Sequence, residues 1–176
     1  MKTEQFKYML SNLENIQSIV KLVISVLFCQ MVGIASILFS QTENNYWYES
    51  YILNTWKISI YSFGAIWVLL YFLVGNSLWY VWTSKINYKL KNQAIQLFLI
   101  QLFLNFLWFV LFFNLHFVVF AFFIISILFV FILMLIIQLF KISKTAFYIL
   151  IPYMGWVIYE LILNIKILLV FNSYQA

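Results

Sequence analysis

Trp67, Tyr71, Gly75 and Trp79 recur every four residues in the stretch FGAIWVLLYFLVGNSLWYVW, with Trp82 three further on. At about 3.6 residues per helical turn they share one face. Gln101, Asn105, Trp108 and Phe112 form a second such stripe, and Tyr153, Trp156, Glu160 and Asn164 form a third. A plain apolar run needs only Leu, Ile, Val and Phe, so these indoles, phenols, amides and one carboxyl require another explanation. Hydrocarbon offers an amide no hydrogen-bond partner, and the three faces should therefore turn toward one another or toward an enclosed cavity. Asn105 and Asn164 read first as groups that bind neighbouring helices together, with direct ligand contact as the alternative. Trp67, Trp108 and Trp156 lie within apolar runs, where each indole N–H needs an acceptor and each ring face suits a flat apolar molecule.

Glu160 is the one carboxyl inside such a run. An ionised carboxylate there costs about 3 kcal/mol or more without a partner. Pairing with Lys21 or Lys166, protonation with a hydrogen bond to Asn164, or contact with the polar edge of a ligand would each offset that cost. The usual catalytic sets are missing, since the chain has no Asp, one His (His116) and one Cys (Cys29). That excludes the ordinary catalytic triad, a thiol-rich zinc site and an intramolecular disulfide. His116 reads as an interfacial loop residue, with axial haem ligation as the alternative. The dispersed glycines form no phosphate cradle. No metal and no cofactor are expected.

The elements that must position these residues follow from composition. With 66% hydrophobic and 9% charged residues, the chain has too little polar surface to cover a soluble globule. A bilayer core about 30 Å thick requires roughly 20 apolar residues at about 1.5 Å rise each. Five segments qualify, near 16–39, 58–82, 94–113, 117–140 and 146–171. They are too long and too uniformly apolar for barrel strands. The expected fold is an all-α membrane protein, a five-transmembrane-helix bundle over 16–172, with residues 1–15 as a cytoplasmic lead-in. The start is not read as a cleaved signal peptide, because no small-residue cleavage site follows a short apolar core.

Segment 40–57 is a candidate lid, to which Trp47 and Trp56 belong, and Trp82 beside Lys85 suits an interfacial anchor. Lys2, Lys7, Lys21, Lys85, Lys89, Lys91, Lys141 and Lys144 fall on one side of a five-span chain, opposite Glu43, Glu49 and Lys57. The positive-inside rule then places the N-terminus in the cytoplasm and the C-terminus outside. The net charge of +5 is mainly this topology signal. Without Arg, and with its lysines scattered through loops, the chain is not expected to bind nucleic acid.

The order FGAIWVLLYFLVGNSLWYVW, then QLFLNFLWFVLFFNLH, then IPYMGWVIYELILN, with WYESYILNTW upstream, resembles the TspO/MBR family of tryptophan-rich sensory and translocator proteins. The resemblance runs from about Trp47 to Asn172. It implies a five-helix bundle, commonly a homodimer, in a bacterial cell membrane. Such a bundle binds porphyrins, sterols or synthetic aromatic ligands in a pocket beneath the first loop. Trp67 and Trp156 are implied as the leading pocket tryptophans, with Tyr71, Asn105, Trp108 and Tyr153 around them. Slow light- and oxygen-dependent porphyrin breakdown is implied as well, with Trp67 and Trp156 as oxidisable donors and no other catalytic residue.

The departures are specific. Asn54, Ile58, Ser59, Ala65, Phe109 and Val110 stand where the family carries prolines, and only Pro152 remains. The second and third helices should be straighter for that loss. Glu160 replaces a small or hydroxyl residue, and LNIKILLVFNSYQA lacks the tyrosine and basic residue of the sterol motif at the places the motif requires; LWYVWTSK fits only a loose version of that pattern. The reading is a receptor or sensor for tetrapyrrole-like or other flat lipophilic ligands, with Glu160 contacting the ligand and membrane lipid as the surrounding partner. A carrier of lipophilic molecules and a ligand-free membrane scaffold are the alternatives.

Overall fold

A computed structural model describes the backbone of residues 2–40 and 60–175, with side chains over 13–36, 38 and 64–169. The candidate lid, with Trp47 and Trp56, lies outside the described residues. The described chain forms α1 (Lys2–Ser40), α2 (Ile60–Thr83), α3 (Tyr88–Phe109), α4 (Val118–Ile142) and α5 (Lys144–Gln175). Each contains a stretch long and apolar enough to cross a membrane, and the protein is an all-α integral membrane protein.

Local chemistry sets the helix ends. α3 begins six residues before Ala94, because the Asn87 side chain caps it by accepting the Lys89 backbone N–H at 2.9 Å. Lys91 Nζ donates to the Trp82 carbonyl at 3.3 Å and ties that start to the end of α2. α3 ends in a π-helical turn over Val110–Asn114, closed by Leu115 N–H to Val110 C=O at 3.0 Å. This wider turn interrupts the ladder directly after Trp108 and Phe109. His116, at φ 55°, then turns the chain into α4 as a loop residue. Ser143 joins α4 to α5: its N–H donates to Leu139 C=O at 2.8 Å, and its Oγ accepts the Ala146 N–H at 3.3 Å.

Around the bundle α1 packs on α2, α2 on α5, α5 on α4, α4 on α3, and α3 back on α1. α4 gives the interior an apolar row of Ala121, Ile125, Leu128, Ile132, Leu135 and Leu139, all fully buried. Leu27, Met31, Phe103, Phe120 and Ile137 are exposed on the outer surface, as a lipid-facing surface requires.

The α2 stripe divides between two neighbours. Trp67 and Tyr71 enter the interior, whereas Gly75 and Trp79 meet α1. The Trp79 indole N–H donates to Ser18 C=O at 2.9 Å, and Gln30 Nε2 donates to Val68 C=O at 2.9 Å. At Gly75 the helices come so close that a Cβ would sit 2.7 Å from Val26 Cα. On its other side α2 reaches α5 through Ser77 Oγ, which donates to Ala146 C=O at 3.0 Å.

Candidate functional site

Consecutive helices run in opposite directions, so the first half of α2, the end of α3 and the second half of α5 lie at one level of the bundle. Trp67, Trp108 and Glu160 occupy those places. The interior polar groups there are joined across three helices. Tyr71 Oη on α2 donates to Asn105 Oδ1 on α3 at 2.7 Å, and Asn105 Nδ2 donates to Tyr153 Oη on α5 at 3.1 Å. Tyr153 Oη in turn donates to Gln101 Oε1 at 2.6 Å. An amide can accept from one phenol with its oxygen while donating to another with its nitrogen, and Asn105 does both at the centre of the chain. All four side chains are buried.

Aromatic rings enclose this chain. Trp67 is fully buried, with its ring centroid 5.3 Å from Tyr71, 6.3 Å from Tyr153 and 5.0 Å from Phe109. The Phe109 contact is edge-on, an arrangement that aromatic quadrupoles favour. Half-buried Trp156 donates its indole N–H to Glu160 Oε1 at 2.8 Å, and its ring tilts against Tyr159 at 5.0 Å. The Trp67 indole lies near the same carboxyl. Two tryptophans from different helices thus converge on one fully buried carboxyl.

Residues 25–170 match the TspO/MBR family model, a region that holds this whole arrangement. The chain belongs to the TspO/MBR family. It is 31% identical to the tryptophan-rich protein TspO of Archaeoglobus fulgidus over 152 residues, which cover 86% of this chain and 97% of that relative. Its identity to the tryptophan-rich protein TspO of Chlorobaculum tepidum is 28% over 152 residues, covering 86% and 96%.

Within this TspO/MBR bundle, Trp67, Tyr71, Asn105, Tyr153, Trp156 and Glu160 lie in one continuous group. Trp108 stands beside it: it stacks on Phe112 at 5.2 Å and meets Phe109 edge-on at 5.2 Å, so Phe109 links it to Trp67. Its buried indole N–H makes no hydrogen bond among the described residues. Asn105 does bind three helices together, whereas neither amide atom of Asn164 has a partner among the described residues. Lys21 is engaged elsewhere, with Nζ 6.0 Å from the Trp82 ring centroid, and Glu160 takes its hydrogen bond from an indole instead.

Two contributors were not singled out from sequence. Gln101 belongs to the α3 stripe yet was not counted in the site, although it accepts from Tyr153. Gly33 of α1 leaves room for the Tyr71 ring: a Cβ there would lie 2.7 Å from Tyr71 Cε2. The α3 spacing already carried the first signal. Nothing local carried the second, because the face of α2 that α1 meets is set by packing.

Proposed function

We propose that this TspO/MBR protein is a membrane receptor or sensor that binds flat lipophilic ligands of the tetrapyrrole class between α2, α3 and α5. The observation that carries this reading is the convergence of Trp67 and Trp156 on Glu160 beside the Tyr71–Asn105–Tyr153 chain. Hydrogen bonds at the edges of Trp156, Tyr71 and Tyr153 fix those rings, Trp67 packs against two of them, and fixed aromatic faces bind a flat ligand at little entropic cost. Asn105 contributes by holding Tyr71 and Tyr153 in place, and Trp108 extends the aromatic wall through Phe109. The N-terminus is cytoplasmic, the C-terminus is outside, and two copies associate as a homodimer in a bacterial cell membrane.

Light adds slow chemistry in this reading. A bound porphyrin sensitises oxygen, and Trp67 and Trp156 serve as oxidisable donors, so the ligand supplies the difficult step. The test is a dark titration of the detergent-purified protein with protoporphyrin and its dimethyl ester, followed by tryptophan quenching, then illumination in air. Saturable binding weakened about tenfold by Trp67→Phe or Trp156→Phe supports the pocket; at 1.4 kcal/mol per tenfold, that is the scale of one aromatic pair. Tryptophan-dependent loss of the porphyrin band supports the photochemistry. Absence of saturable binding by either compound sinks the reading.

A further inference from the structure

The α5 face below Trp156 carries polar atoms that the bundle does not satisfy. Glu160 Oε2 and both amide atoms of Asn164, Oδ1 and Nδ2, lack hydrogen-bond partners among the described residues, and both side chains are fully buried. Four residues apart on one helix, they are neighbours on the same face. Leaving such groups unpaired in a low-dielectric interior is costly, and natural interiors rarely tolerate three such atoms side by side without an occupant. Asn164 Oδ1 is an acceptor, and the Glu160 carboxyl offers a second acceptor when ionised or an O–H when protonated. The side chains classed as buried and polar are serines, amides and Glu160, with no Lys or His among the described ones. A ligand carboxylate arriving here would meet another carboxyl and no counter-charge. A ligand N–H or ammonium group would meet acceptor oxygen instead.

We infer that Glu160 and Asn164 form a polar subsite that receives the N–H or amine edge of an uncharged or cationic flat ligand and discriminates against a carboxylate-bearing one. The inference rests on the proposed pocket and names its specificity determinant. Glu160 has a second duty, since its other oxygen holds Trp156. A glutamine can keep that duty through its amide oxygen, so Glu160→Gln removes the carboxyl character without releasing the indole.

The experiment compares the affinities of protoporphyrin dimethyl ester and protoporphyrin free acid, in one detergent, for the full chain, Glu160→Gln and Asn164→Asp. Helical content by circular dichroism serves as the folding control. The ester is expected to bind at least tenfold more tightly than the acid in the unaltered protein. That ratio should fall about threefold or more in Glu160→Gln and rise in Asn164→Asp, where a second carboxyl is added. Because the two variants move the ratio in opposite directions, partition of the ester into detergent cannot mimic the result, and either variant decides if the other does not fold. A ratio unchanged in the folded variants overturns the inference and means that water alone fills the subsite, with the pocket left standing. Tighter binding of the acid overturns it too. Failure of both compounds to bind overturns the inference together with the pocket beneath it.

Discussion

Replacing Asn105 by leucine should be among the most damaging single changes in the bundle interior. The side chain is fully buried and makes two interhelical hydrogen bonds, accepting from Tyr71 at 2.7 Å and donating to Tyr153 at 3.1 Å. Leucine has the same branched heavy-atom skeleton, so no cavity opens, and its bulkier methyl groups add to the loss by overpacking. Interhelical hydrogen bonds in membranes contribute about 0.6 kcal/mol each. Tyr153 keeps its bond to Gln101, but Tyr71 Oη loses its acceptor, and an orphaned buried hydroxyl costs about 1–3 kcal/mol. The expected loss is about 2–3 kcal/mol. It can be measured by reversible unfolding in mixed micelles of mild detergent and dodecyl sulfate, followed by helical circular dichroism. A double-mutant cycle with Tyr71→Phe sharpens the test, because once the phenol hydroxyl is gone Asn105→Leu no longer strands it. The pair should then cost about 1 kcal/mol less than the two single changes together. A loss under about 0.5 kcal/mol for Asn105→Leu, or strict additivity in the cycle, would refute the idea that this amide joins the three helices.

Other outcomes follow from the same geometry. Gly75→Ala should destabilise the bundle by about 1–3 kcal/mol, since its Cβ would press on the Val26 backbone 2.7 Å away, which has no flexible end to move. Gly64→Ala, with nothing within 4 Å, should be neutral or slightly stabilising in the same assay. Gly33→Ala should keep the fold yet displace the Tyr71 ring; its signature would be weakened ligand binding, with most of that loss absent in a Tyr71→Ala background, where the ring it presses on is gone. Trp79→Phe removes the donor to Ser18 and should cost about 1 kcal/mol of stability while leaving ligand affinity unchanged, because it faces α1 and not the interior site. Reduced ligand affinity in Trp79→Phe would extend the site to the opposite half of the bundle.

Much of this protein follows from local pattern alone. The length of the apolar runs and the backbone's need for internal hydrogen bonds decide that it is a bundle of membrane-spanning helices. The four-residue recurrence from Gln101 to Phe112 identifies an inward face on α3, since the helical period is a property of the chain itself. Family membership was legible for the same reason, in motifs whose order survives at 31% identity.

Tertiary packing decided how the stripes were used. In sequence, Trp67, Tyr71, Gly75 and Trp79 make one face, but α1 closes over the second half, so Trp79 bonds to Ser18 while Trp67 enters the interior. Asn105 and Asn164 look alike as buried amides, yet only Asn105 stands where two phenols from other helices converge. Glu160 carried no hint of choosing the Trp156 indole over a lysine. Helical periodicity states which side chains share a face, because it depends on dihedral angles repeated along one segment. The identity of the neighbour across that face depends on the order of helices around the bundle and on their separation, which residues as distant as Gly33 and Tyr71 set together.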